Sequence, residues 1–470
     1  MSQSQNNETK VLVLSLLITG AVLGGGWWFW QSQGESTTAG DSTEQVTTPE
    51  SSSDLAARIS GGDRILLSDL NSPAKQAGVD AIAKENYTEA VNQLEQALQE
   101  TRNDPEALIY LNNARIGNNK AYAIAVSLPI DTSANAAKEM MRGVAQAQNE
   151  INAAGGINGT RLKVYIASDD NDPELSPQIA AKLAENPEIL GVVGHFGSST
   201  TLAAAAVYQV QGLTMISPTS TAVELSSMGD YIYRTVPSDR FAGSALAAYQ
   251  LETLNKQKAA VFFNADSSYS KSLKNVFTTD IFGKGGEVVR EYDLNAADFD
   301  PVAAVNEARN LGAEVIMLAP NSATLNPALQ VVQVNEGRLP LLAGDSAYKP
   351  QTLQLGGRDG VGMVLAIPWH ILANPDAEFP KAASQLWGGE VNWRTAMAYD
   401  AAVALIGAIA TNPNRAGVDE ALSNPNFQTE GAAGVVRFLP SGDRNQAVQL
   451  VEVREGSRTQ FSYEFVPIEP

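Results

Sequence analysis

From Lys120 onward, short apolar runs alternate with longer amphipathic ones. Tyr122 to Leu128, Leu162 to Ala167, Leu190 to Phe196 and Leu213 to Ser217 are uninterrupted enough to be strands buried on both faces, and Ala134 to Ala153 between them carries a helical period. After Asp239 the alternation resumes. Ala259 to Phe263, Glu287 to Tyr292, Val315 to Ala319 and Leu339 to Ala343 predict strands, with helices over Asp298 to Leu311 and Ala323 to Glu336. Strands that alternate with helices predict an α/β fold built on parallel sheets, here two doubly wound units in succession.

The first 118 residues have other patterns. Val11 to Trp30 is a run of 20 uncharged residues ending in Trp27, Trp28, Phe29 and Trp30, with Lys10 before it and Glu35, Asp41 and Glu44 after it. That length and flanking charge predict a transmembrane anchor over 1–30, or a signal segment, that exports the remainder of the chain. Residues 31–60 contain 12 serines and threonines and few large apolar groups, which predicts a flexible linker over 31–74. Gly78, Tyr87, Ala90, Leu94 and Ala97 then show the small and aromatic spacing of a tetratricopeptide-like helical unit over 75–118, with Pro105 opening a further helix. One such unit cannot bury its own face, so it must pack on the next domain or on a partner.

Charge and composition narrow the chemistry. With 32 basic and 52 acidic residues the net charge is −20, a surface that repels nucleic acid. There is no cysteine and there are only two histidines, His195 and His370, so thiolate and multi-histidine metal sites are not expected, nor is a cofactor. His195 and Ser198 lack the elbow spacing of a serine nucleophile and its base. No enzymatic centre is expected.

Two loops carry the candidate chemistry. In "GHFGSSTTLAAAA" (194–206), Ser198 and Ser199 stand where a strand gives way to a helix, so unpaired N–H groups and the positive helix end face outward, an arrangement suited to a carboxylate. In "ISPTST" (216–221), Thr219 and Thr221 leave a second strand at its carboxyl end.

These stretches, with "EINAAGGINGTRL" (150–162), "DDNDPELSPQIAAKL" (169–183), "YRTVPSD" (233–239) and "GVVRFLPSGDR" (434–444), resemble the solute-binding proteins of branched-chain amino acid ABC importers. The resemblance runs from about Tyr122 to Phe465. It implies two Rossmann-like lobes joined by a three-strand hinge, the type I periplasmic binding protein fold, over 119–470. Lobe one would hold about 120–239 and 368–439 and lobe two about 240–367 and 440–470, with crossings near Asp239, Ile367 and Leu439. It further implies an amino-acid ligand in the cleft, its carboxylate and part of its ammonium on Ser198, Thr219 and Thr221, its ammonium paired with Asp345, Tyr269 in the lobe-two wall and Asp239 at the first crossing. Ala136 and Pro320 stand where the family often has aromatics, so Trp369 or Trp393 could refill the side-chain pocket. The implied partners are a membrane permease and ATPase subunits, with the body held outside the inner membrane by residues 11–30. The alternative is a tethered ligand sensor or scaffold using the helical unit to bind a partner.

Overall fold

The computed structural model describes residues 52–468, of which strands and helices occupy the positions that the alternation predicts within a few residues. The first sheet has six strands: β1 (Ile59–Ser60), β2 (Ala121–Leu128), β3 (Arg161–Ser168), β4 (Ile189–Val193), β5 (Met215–Ser217) and β6 (Ile232–Arg234), in the spatial order β1-β3-β2-β4-β5-β6. All pair in parallel except β1, which runs against β3. The second sheet contains β7 (Lys258–Phe263), β8 (Glu287–Asp293), β9 (Val315–Ala319), β10 (Leu341–Ala343) and β11 (Val364–Ile367). A small hairpin, β12 (Thr429–Gly431) with β13 (Gly434–Val436), lies outside both sheets. β14 (Gln449–Glu455) and β15 (Tyr463–Pro467) complete the second sheet in the order β15-β14-β11-β10-β9-β7-β8, and these two strands are antiparallel additions. The central parallel strands β2, β4 and β9 are buried on both faces, as their continuous apolar runs require.

The linker reading needs correction from Ser52 onward. Residues 52–74 contain a helix (Ser52–Ala57), β1 and a single 3₁₀ turn (Ser68–Leu70) rather than free coil. Their backbone is held by groups supplied from further along the chain. The buried Glu106 carboxylate accepts from Leu66 N at 2.7 Å, from Leu67 N and from the Tyr110 hydroxyl at 3.0 Å. It also pairs with the fully buried Lys75 Nζ at 2.7 Å, which reaches Asp104 at 2.8 Å. The expected anchor, residues 11–30, lies outside the described residues, as does 31–51. Among the described residues no helix is long and apolar enough to cross a membrane.

The helical unit comprises Pro73–Ala83, Tyr87–Glu100 and Pro105–Ile116, and a Cβ at Gly78 would collide with Leu94, so the first two helices depend on that glycine to approach. The third helix is buried along nearly its whole length against lobe one. Its Asn113 solves an edge problem. β1 is only two residues long, so β3 keeps unpaired backbone groups along most of its outer edge. Asn113 donates to Val164 O at 2.7 Å and accepts from Val164 N at 3.1 Å, while Asn152 makes the equivalent pair with Leu162. The helical unit is thus part of the lobe-one body.

Between the lobes the chain crosses at 235–238 and just after Ile367. The third crossing is later than Leu439. Gly442 O still accepts from Arg234 N at 3.0 Å and Asp443 bridges to Arg234 in the β6 register, so the passage to the second sheet falls at 445–448. The motif residues explain this: Arg234 Nε binds Asp443 Oδ1 at 2.6 Å, and Arg444 pairs with the buried Asp400 of lobe one.

Candidate functional site

A cleft of about 1140 Å³ opens between the lobes. Ser198, Ser199, Thr219, Tyr269 and Asp345 line it, while Thr221 and Asp239 are buried just behind them, at 3% and 1% exposure. Of the two tryptophans, Trp393 lines the cleft and Trp369 instead packs on Phe379.

The helix Ser198–Gln211 begins after Gly197, whose missing side chain provides no cap. The N–H groups of its first turn are therefore left for another acceptor. Ser198 Oγ accepts from Ala222 N at 3.3 Å, which leaves its own O–H free to donate. Ser199 lines the cleft and makes a further contact that its position does not suggest. Its Oγ accepts from Ser268 N at 3.1 Å and donates to Ser268 Oγ at 3.2 Å, so it joins lobe one to lobe two across the cleft mouth.

The second loop is fixed from both sides. Thr219 Oγ1 donates to Phe196 O at 2.8 Å, tying this loop to the first, and its oxygen keeps acceptor capacity. Arg234 holds the loop's far end, with Nη1 on Ala222 O at 2.7 Å and Nη2 on Ser226 Oγ at 2.8 Å. Thr221 Oγ1 is buried without a hydrogen-bond partner among the described residues, and so is Asp239 Oδ2. Buried polar groups are rarely left so, and both oxygens can accept.

From lobe two, Asp345 begins a short turn after β10 and is 6% exposed. Burial raises its pKa, opposed by the Tyr269 hydroxyl, which stays protonated because burial and the neighbouring Asp345 charge push it well above the phenol value. Gly344 makes room for that hydroxyl: a Cβ there would overlap Tyr269 Oη and Leu273. Burial pushes Asp239 up to about 7 against the pull of the Ser272 hydroxyl, and the Asp345 charge adds to the rise. A buried carboxylate whose proton affinity a second carboxylate raises marks a site for a cation. The free helix end beside them is a site for an anion.

The sequence reading missed Arg394 and Lys349. Arg394 is 3% exposed at the start of the helix Trp393–Thr411, and reaches lobe two through Nη1 to Tyr348 O at 3.2 Å. Its place depends on Gly143, where a Cβ would meet the backbone of Thr395 and Tyr399, so the helices Ala134–Ala153 and Trp393–Thr411 can touch. No local pattern marks these cations. Only the packing of distant elements shows Arg394 to be buried and Lys349 half-buried.

His195 and Asp169 serve the scaffold. His195 Nδ1 lies 2.6 Å from Asp169 Oδ2 and Nε2 lies 3.0 Å from the Tyr208 hydroxyl, all fully buried, and the His195 carbonyl accepts from Ser217 Oγ at 2.9 Å. "SDDNDPE" is the exit of β3, with Asn171 and Pro173 on the cleft rim.

Comparison with known proteins agrees with this architecture. The model of the periplasmic binding protein family matches residues 122–458. An amino acid binding protein of Pseudomonas aeruginosa is 33% identical over 188 residues, 39% of this chain and 50% of that protein. A leucine-, isoleucine-, valine-, threonine- and alanine-binding protein of the same organism is 30% identical, over 41% of this chain and 52% of its own length. The chain thus spans about half the length of these relatives. Among solved structures, a leucine binding protein from Thermotoga maritima aligns with a TM-score of 0.65 at 23% identity, covering 74% of this chain and 99% of that one. A Streptococcus pneumoniae branched-chain amino acid transporter substrate binding protein in complex with isoleucine gives 0.64 at 23%, over 74% and 100%. A Rhodopseudomonas palustris solute binding protein in complex with 3,4-dihydroxybenzoic acid gives 0.65 at 15%, over 74% and 96%.

Proposed function

Because the chain belongs to the periplasmic binding protein family, we propose that it is the extracytoplasmic solute-binding component of an ABC importer and that it captures an amino acid between its lobes. The observation that carries the reading is the opposed pair of charge sites in one cleft. The uncapped helix end at Ser198 suits a carboxylate, and the Asp345, Asp239 and Thr221 acceptors suit an ammonium. A free amino acid carries both groups on one carbon.

In this reading Ser198 donates to the ligand carboxylate with the first-turn N–H groups. Thr219 and Thr221 accept from the ammonium, and Asp345 neutralises it. Tyr269 holds the Asp345 carboxylate in place. Asp239, behind Thr221, adds negative potential without touching solvent. The ligand contacts both lobes only when they are together, so binding shifts the population toward the closed form, which Ser199–Ser268 and Arg394–Tyr348 also stabilise. A closed form presented to a membrane permease and its ATPase subunits would pass the ligand on. The names of the relatives, which bind amino acids, support the ligand class. An anchor at residues 11–30 would keep the body beside its permease.

The test is a thermal-shift panel of the standard amino acids on full-length protein refolded free of ligand. Saturation at about a thousand times Kd adds about 4 kcal/mol of stability, a clear rise in melting temperature. Absence of any shift with every amino acid would remove the reading.

A further inference from the structure

The cleft is lined by a second set of polar groups that the α-amino and α-carboxylate cradle does not use. Arg394 Nε and Trp393 Nε1 are buried donors with no partner among the described residues, and their residues are 3% and 2% exposed. From lobe two, Lys349 Nζ reaches only the Ser322 hydroxyl, at 3.0 Å, and no carboxylate lies within ion-pair distance of it among the described residues. The other cations of the wall are already paired, Lys138 with Asp69 and Arg142 with Glu139, each at 2.7 Å. Arg394 also stands at the first turn of a 19-residue helix, whose positive end adds to its charge. Each of the three unused groups is a donor, and two of them are cations.

We propose that Arg394, Trp393 and Lys349 form an anion pocket for the ligand's side chain, so that the captured amino acid is one with an acidic side chain, of the aspartate and glutamate class. This rests on the amino-acid reading above. The cradle occupies Asp345 with the ammonium, and Asp345 is one of the two carboxylates that offset Arg394, the other being Glu139, already bound to Arg142 and Thr395. A ligand with a neutral side chain would therefore leave Lys349 without a counter-charge and Arg394 with only the Glu139 carboxylate that Arg142 already shares, and a desolvated, poorly paired charge is costly. A side-chain carboxylate between them supplies the missing acceptor. The cations feel each other: burial, and then the Arg394 charge, hold the Lys349 ammonium down to about 8. An anion placed between them offsets that repulsion. The wall also lacks an aromatic at Ala136, which would otherwise fill space near this end of the cleft.

The experiment is calorimetric titration of the refolded, full-length chain with L-glutamate, L-aspartate, L-glutamine, L-leucine and glutarate. The pocket predicts that an acidic amino acid binds at least about a hundredfold tighter than L-glutamine or L-leucine, because a site built to bond a polar group rejects the analogue lacking it. Lys349→Met, at a partly exposed position, should weaken acidic-ligand binding about thirtyfold or more while changing L-glutamine affinity by less than about threefold, and Arg394→Gln, which also loses its contact with Tyr348 in the closed form, should weaken the acidic ligand at least about tenfold more than it weakens L-glutamine. Should Arg394→Gln not fold, Lys349→Met alone decides. Equal or tighter binding of L-leucine or L-glutamine by the natural chain overturns the pocket and leaves the amino-acid reading standing. Glutarate binding as tightly as L-glutamate would keep the pocket and overturn the α-amino cradle. Absence of binding by all five would overturn the pocket.

Discussion

Replacing Asp239 by Asn removes a proton-binding group from the floor of the cleft, and the structure gives the size of the effect. The carboxyl is 1% exposed, one of its oxygens is unpartnered, and burial, reinforced by Asp345, moves it from 3.8 to about 7. In the unfolded chain the same group ionises near about 3.9. The folded state therefore holds the proton more tightly, and between about pH 4 and pH 7 the unfolded state binds fewer protons than the native one. Stability from this group is fully present below about pH 4 and is lost as pH rises through about 7. A difference of about three pKa units corresponds to about 4 kcal/mol across the window. Asn carries no such linkage. Thermal melts of ligand-free protein from about pH 5 to pH 8 should show a falling stability for the natural chain, and a flatter profile for Asp239→Asn, which becomes the more stable of the two at the upper end. A cationic amine reverses the sign for binding: it favours the ionised carboxylate, so affinity should rise with pH over the same window. Identical pH slopes in the two proteins would refute the reasoning.

Other substitutions test other contacts. Asp345→Ala should weaken amino-acid binding by well over tenfold, since removing one partner of a desolvated charge pair costs about 2 to 5 kcal/mol; unchanged calorimetric affinity would remove Asp345 from the site. Gly344→Ala displaces the Tyr269 hydroxyl and should weaken binding measurably in the same titration while leaving the far-ultraviolet dichroism unchanged. Asn113→Ala leaves Val164 N–H and C=O unpartnered and should lower stability by about 1 to 3 kcal/mol in urea melts.

Much of the body was legible because its strands are continuous apolar runs and its helices keep a 3.6-residue period. Val315–Ala319 and Ala134–Ala153 coincide with the stretches the pattern picks out. The two loops at Ser198 and Thr219 were legible for a related reason: hydroxyls at strand exits are a local signal. What escaped was set by contacts distant in sequence. Residues 52–74 look too polar to fold because the groups that order them, Glu106 and Asn113, come from a later helix. Arg394 looks like a solvated charge until Gly143 brings two helices together. Ser199, at the carboxylate cradle, also bonds Ser268 of the other lobe, a contact that no local pattern marks. The sequence puts the third crossing too early because "RFLPSGDR" reads as a single passage, whereas Asp443 and Arg444 are both retained by lobe-one side chains.

If the cleft reads an ammonium and a carboxylate on one carbon, removing either group from the ligand must cost affinity. The most direct measurement is calorimetry on refolded, full-length protein, titrating the amino acid that gives the largest thermal shift against its deaminated counterpart and its α-amide. Tight binding of the amino acid is expected, with loss of at least about tenfold for each analogue, because one leaves Asp345 unpaired and the other leaves the helix end at Ser198 without its anion. Equal affinity for the deaminated acid would contradict the ammonium site, and with it the amino-acid reading.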